Sequence, residues 1–211
     1  MRSIFLLGYI LMSSLVANAQ YSGYKPVADA AAFKVQFAEA SKKTNAIKSD
    51  FVQEKNLSLL AEKITSKGKF WFKKDNLVRM EYTQPFQYLM ILNGTNVYVK
   101  DSQKENKVSV KSNKLFQQIN KIMVDCVKGE AMQSGDFTVK VFENSSSYLA
   151  ELIPVDKNMK KLFKNINMII EKKSFGVTAI EMHEPSGDNT VINFVNRELN
   201  TNLPDALFTI H

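Results

Sequence analysis

Nucleophilic chemistry in this chain would have to come from its one cysteine, Cys126, and one of its two histidines, His183 and His211. Such a pair works when the imidazole takes the thiol proton and leaves a reactive thiolate. Cys126 sits among aliphatic residues at helical spacing, where a free cysteine packs as a small hydrophobe. His183 falls in a strand-like run near Pro185, and His211 ends the chain. A half-exposed structural role is the default for His183, so a Cys126–His183 pair is a minor expectation. Metal sites need His, Cys or carboxylates clustered at ligand spacing, and no such cluster stands out. Neither a Gly-rich phosphate loop nor a Gly-x-Ser-x-Gly elbow occurs. The sequence therefore predicts no catalytic residue, no metal and no cofactor.

The apolar pattern is more informative. In residues 62–82, Ile64, Gly68, Phe70, Phe72, Val78, Met80 and Tyr82 share one parity, while Lys67, Lys69, Lys73, Arg79 and Glu81 share the other. Period-two alternation marks half-buried antiparallel strands. Strands are predicted over 49–59, 63–73, 77–82, 86–92, 97–100, 137–142, 148–153, 166–171, 177–183 and 190–196, with a last strand over 207–210. Asn93-Gly94 is a strong hairpin signal. Two apolar-faced helices interrupt the series. The first covers 28–48, with Phe33, Phe37, Ala40 and Ile47 in one stripe and Asp29 at its start. The second covers 111–132, where Leu115, Ile119, Ile122 and Cys126 recur at helical spacing. A helical turn is predicted over 156–162.

A closed barrel needs no covering helices, and these two apolar faces must cover something. The expected fold is mainly β with helices: one curved antiparallel sheet, an incomplete barrel, under a helical lid. Inward candidates are Phe70, Phe72, Met80, Met90, Met168, Met182, Ile192 and Phe194, with Val78 sharing their parity. Methionine repacks around varied shapes, which suits a cavity for acyl chains, although such residues also build ordinary cores.

The N-terminus reads as a targeting segment. Arg2, an apolar run from Ile4 to Leu15 and Ala17-Asn18-Ala19 fit a signal peptide over 1–19, leaving one domain over 20–211. No cysteine follows that cleavage site, so no lipid anchor is expected there. The formal net charge is +7. Export makes nucleic acid the poorest partner for this basic surface, and the lysines are scattered.

The order of Phe51-x-Gln53, a Gly68-led aromatic and basic strand, a polar turn, Thr83-Gln84-Pro85 and the Gly94 hairpin resembles the LolA-like periplasmic carriers of outer-membrane lipoproteins. The resemblance is specific only between residues 50 and 101. It implies a half-barrel with a helical lid over a hydrophobic cavity, and a monomeric carrier in the periplasm of a Gram-negative bacterium. It implies three partners: lipoprotein acyl chains, an inner-membrane ABC-type releasing complex and an outer-membrane acceptor. Lys74 falls where the family has a lid-gating arginine, and Asp75 replaces the usual proline. Val78 and Met80 fall at cavity-mouth positions that are aromatic in the family. The alternative is a LolA-fold lipid binder with another role, as an envelope sensor or a dedicated binder of a glycolipid or pigment-like lipid.

Overall fold

The computed structural model describes residues 21–74, 76–94, 96–101, 105–106, 122, 124–126 and 128–209. The predicted signal peptide and the first part of the second predicted helix lie outside the described residues.

Among the described residues twelve strands form one antiparallel sheet: β1 (Lys25–Pro26), β2 (Ala46–Leu57), β3 (Glu62–Lys73), β4 (Leu77–Gln84), β5 (Tyr88–Asn93), β6 (Asn96–Asp101), β7 (Glu105–Asn106), β8 (Phe137–Glu143), β9 (Ser147–Pro154), β10 (Asn165–Glu171), β11 (Val177–His183) and β12 (Asn189–Leu199). Their order is β1-β8-β9-β10-β11-β12-β2-β3-β4-β5-β6-β7. Among the described residues the end strands β1 and β7 do not pair with each other, so the barrel is incomplete. The sheet is nevertheless strongly curved. Val97 on β6 and Val141 on β8, far apart in strand order, join one buried apolar cluster on the inner face.

Gly68 shows how tightly that face is built. It pairs with Phe51, and a Cβ there would come within 2.6 Å of the Phe51 ring and 2.1 Å of the Glu81 carbonyl oxygen. The missing side chain lets the ring lie across the strand.

The first helix, α1, runs over Ala30–Lys43. Asp29 caps it by accepting from the Ala32 amide at 2.9 Å. It is shorter than predicted at its C-terminal end. Residues 46–48 pair in the sheet instead, with Ile47 opposite Phe72 and Leu199, because ladder bonds on both sides outcompete further helix. Residues 122, 124–126 and 128 are helical and lead to a 3₁₀ turn at Glu130–Met132. A short helix spans Lys157–Leu162, capped by Asp156.

Three expectations are corrected. Residue 210 of the predicted last strand lies outside the described residues, and the tail forms no strand over 207–209. It makes a 3₁₀ turn at Asp205–Phe208, which lets Leu203 and Phe208 both reach an apolar patch on the outer face. Ile64 is 46% exposed, since β4 ends opposite Lys67 and leaves the far end of β3 uncovered on that side. Leu59 and Phe86, predicted as strand residues, stand exposed in turns.

Candidate binding site beneath the lid

Alternation sends Phe70 and Phe72 of β3 to the inner face, with Val78 and Met80 of β4 and Met90 of β5 beside them. Met168, Met182, Ile192 and Phe194 close the same face from β10, β11 and β12. Ile122 meets them from the lid side. All ten are buried members of one cluster, and the Phe70 and Phe194 rings lie 5.2 Å apart. Leu115 and Ile119 lie outside the described residues.

The lid fills much of the concavity itself. Phe33 and Phe37 are the only buried side chains of α1, and they enter the same cluster as Val124, Cys126, Ala131 and Met132. The Phe33 ring lies 4.5 Å from Tyr148 and 6.4 Å from Phe175. Phe175 holds a left-handed backbone (φ 53°) in the turn after β10. Sequence reading took that segment only as a turn. An aromatic amid Lys173, Ser174 and Gly176 was the available sign that it had a partner.

Two clefts mark the lid margin. One, between Thr44, Phe70, Phe175 and Phe194, has a volume of ≈ 30 Å³, about one water. The other, between Ser41, Lys42, Phe72, Lys74 and Lys128, has ≈ 260 Å³. Lys74 lines it and bridges to α1. Its Nζ donates to the Lys42 carbonyl at 2.6 Å, where a cation also meets the negative end of the helix dipole. Asn200 donates to the Lys43 carbonyl at 3.2 Å, and Lys128 donates to the Asn76 side-chain oxygen at 3.0 Å. Lys74 thus makes one hydrogen bond to α1, where a guanidinium could make several. Asp75 lies outside the described residues.

Cys126 and His183 are not brought together. Cys126 is fully buried in the inner cluster, where desolvation, then the neighbouring Asp125, pushes its thiol well above the usual range. His183 lies on the outer face, 3.6 Å from Glu181 and 3.3 Å from the Asn167 amide. His183 holds the Glu181 carboxyl below its ordinary range, with partial burial opposing. Beside them Tyr21 donates to Glu151 at 2.7 Å and Asn167 at 3.2 Å. Burial, then Glu151, pushes the Tyr21 phenol up. Among the described residues no group of three or more His, Cys, Asp or Glu could hold a metal ion, and no helix is long and apolar enough to cross a membrane.

No curated protein matches the chain in sequence. A conserved protein of Thermus thermophilus superposes over 87% of this chain and 94% of its own, with 9% identity and a TM-score of 0.51. MucB superposes over 86% of this chain and 62% of its own, with 11% identity and a TM-score of 0.51. A LolA superfamily protein from Nitrosomonas europaea superposes over 84% and 97%, with 12% identity and a TM-score of 0.44. Residues 42–211 match the family described as outer membrane lipoprotein carrier protein LolA, and the chain, with its open sheet and lidded interior, belongs to that family.

Proposed function

We propose that this protein is a periplasmic carrier that shelters lipoprotein acyl chains between the inner and outer membranes. The observation behind this reading is that lid and sheet share one apolar cluster, while α1 adds only two buried side chains to it. Burying a phenylalanine is worth about 1.5–3 kcal/mol, so Phe33 and Phe37 together contribute roughly 3–6 kcal/mol to closure. A sixteen-carbon acyl chain gains roughly 12 kcal/mol at about 0.8 kcal/mol per buried CH₂. One chain therefore outcompetes the lid aromatics, and reclosure of the lid then offsets part of the cost of release. Cleavage after Ala19 would deliver the protein to the periplasm, and loading and unloading would use an ABC-type releasing complex and an outer-membrane acceptor. On this reading, acyl chains take the place of the lid aromatics in the cluster that holds Phe70, Phe72, Val78, Met80 and Met168, with Lys74 as a latch.

A single lysine latch, with the aliphatic Val78 and Met80 in the buried interior, also favours a second reading: a LolA-fold binder of another lipid. Native mass spectrometry of protein purified from the periplasm separates the two. Co-purifying acylated proteins support the carrier. One defined free lipid supports the dedicated binder. Bare protein that also fails to take up a fluorescent fatty-acyl probe would sink both.

A further inference from the structure

One rim of the sheet is built unlike the other. The turns β2–β3, β4–β5, β9–β10 and β11–β12 all lie at the same end, as the registers Leu57 with Glu62, Lys67 with Gln84, Asn165 with His183 and Asn189 with Asn56 require. Eight large apolar side chains are exposed among the described residues, and five of them belong to this end: Leu59, Leu60, Ile64, Phe86 and Val155. Scattered single apolar residues are ordinary, but five of eight gathered at one end of the sheet, on three separate connections, are not. Leu59 is 92% exposed and Leu60 63%. The turn that holds them out is anchored, because Asp188 accepts from the Ser58 amide at 2.8 Å and its hydroxyl at 2.9 Å.

Both signs of charge occur on this rim, Asp136 beside Val155 included, but the charges without an ion pair are mostly lysines. Its acids are largely engaged: Glu54 pairs with Lys63, Glu184 with Lys55, and Asp156 caps the helix Lys157–Leu162. Glu62 remains exposed. Lys157, Lys160, Lys161 and Lys164 flank Val155, are exposed and make no ion pair among the described residues. Lys67 is likewise exposed beside the β2–β3 hairpin.

We propose that this rim docks the protein onto an anionic phospholipid surface. Leu59, Leu60 and Phe86 enter the headgroup boundary, and the Lys157–Lys164 cations meet lipid phosphates. Apolar tips flanked by lysines match the two attractions that hold a protein on such an interface. The rim lies at the opposite end of the strands from the Lys74 latch, so docking leaves the lid margin free. The inference does not depend on what the interior carries.

The test is co-sedimentation of the purified protein with phosphatidylglycerol–phosphatidylcholine vesicles and with phosphatidylcholine vesicles alone. Binding is expected to the anionic vesicles and to weaken with salt. The double variant Leu59→Ser, Leu60→Ser should lose about tenfold in partitioning. Lys160→Glu with Lys161→Glu should lose at least roughly 25-fold and much of the salt dependence, at roughly fivefold per lysine near the surface. Both variants should keep the parent melting transition and parent uptake of a fatty-acyl probe without vesicles, which separates this proposal from the carrier reading. Equal binding to neutral and anionic vesicles would overturn the proposal. So would unchanged partitioning of folded variants, or no vesicle binding, which would leave the rim as a protein-contact surface.

Discussion

Two neighbouring lysines at the end of β3 hold two different covers on opposite faces of the sheet. Lys73 faces outward, donates to the Leu203 carbonyl at 2.9 Å and pairs with Asp205. Arg79 and Asn93 add bonds to the Leu207 and Phe208 carbonyls, each at 3.2 Å. Under this C-terminal strap, Leu203 and Phe208 seal Ala46, Trp71, Ile91 and Tyr98. Lys74 faces the lid and makes one bond to α1, with Asn200 adding another at the same end. The strap closes a small patch that its own side chains complete, and several polar bonds fix it. The lid closes a larger apolar interior with two aromatics and is tied at one margin. On the carrier reading proposed above, the difference marks the strap as the structural cover and the lid as the one that exchanges with a ligand.

Phe208→Ala should produce the largest effect, a loss of about 3 kcal/mol in chemical denaturation, because the ring is wholly buried. Acyl-probe uptake by the protein that remains folded should not change. A loss under about 1 kcal/mol would make the strap as loose as the lid and end the contrast.

Gly129→Ala comes next. Gly129 holds φ 75°, and a Cβ would come within 2.5 Å of the Ser41 hydroxyl and 2.6 Å of the Phe37 ring. The left-handed backbone and this contact should cost about 1–2 kcal/mol and push α1 outward. Stopped-flow mixing with a fluorescent fatty acid should show faster uptake. Unchanged uptake with lowered stability would place the strain elsewhere.

The paired lysines sharpen the comparison at smaller cost. Lys74→Leu should lose about 1 kcal/mol, speed probe binding and slow release to acceptor membranes. Lys74→Arg should do the reverse. Lys73→Leu should lose a similar amount of stability and leave probe kinetics alone. Identical kinetics in the parent, Lys74→Leu and Lys74→Arg would reduce Lys74 to an ordinary turn lysine.

Acid should give the smallest effect. Glu181 has a folded pKa below its ordinary value of 4.5. Its contribution is complete above that value and is lost as pH falls through the lower folded value. The melting temperature should drop on acidification below about pH 4.5, and Glu181→Gln should flatten part of that drop. Probe uptake at neutral pH should be indifferent to Glu181→Gln, since the residue lies on the outer face.

Much of this fold was legible in the sequence. Side-chain direction in a strand is local, so parity alone placed Phe70, Phe72, Val78 and Met80 on one face. All ten main strands could be read before a structure, with ends shifted by up to about three residues, because turn residues such as Asn93-Gly94 and Ser186-Gly187 act over a few positions. The cap at Asp29 is equally local.

Where local rules ran out, partners were distant in the chain. Trp71 stands between Lys69 and Lys73 on a parity that reads as solvated, yet it is buried because the tail returns to cover it. Whether Leu59 and Phe86 extend a strand or stand out from a turn depended on where their neighbours stop pairing. Composition and period thus determined a half-buried antiparallel sheet with two apolar helices to spare. Which face each cover closes, and how firmly, was decided only in three dimensions. Covers are held by contacts such as Lys73 to Leu203 and Lys74 to Lys42, and chain separation leaves no trace of these in the pattern around either lysine.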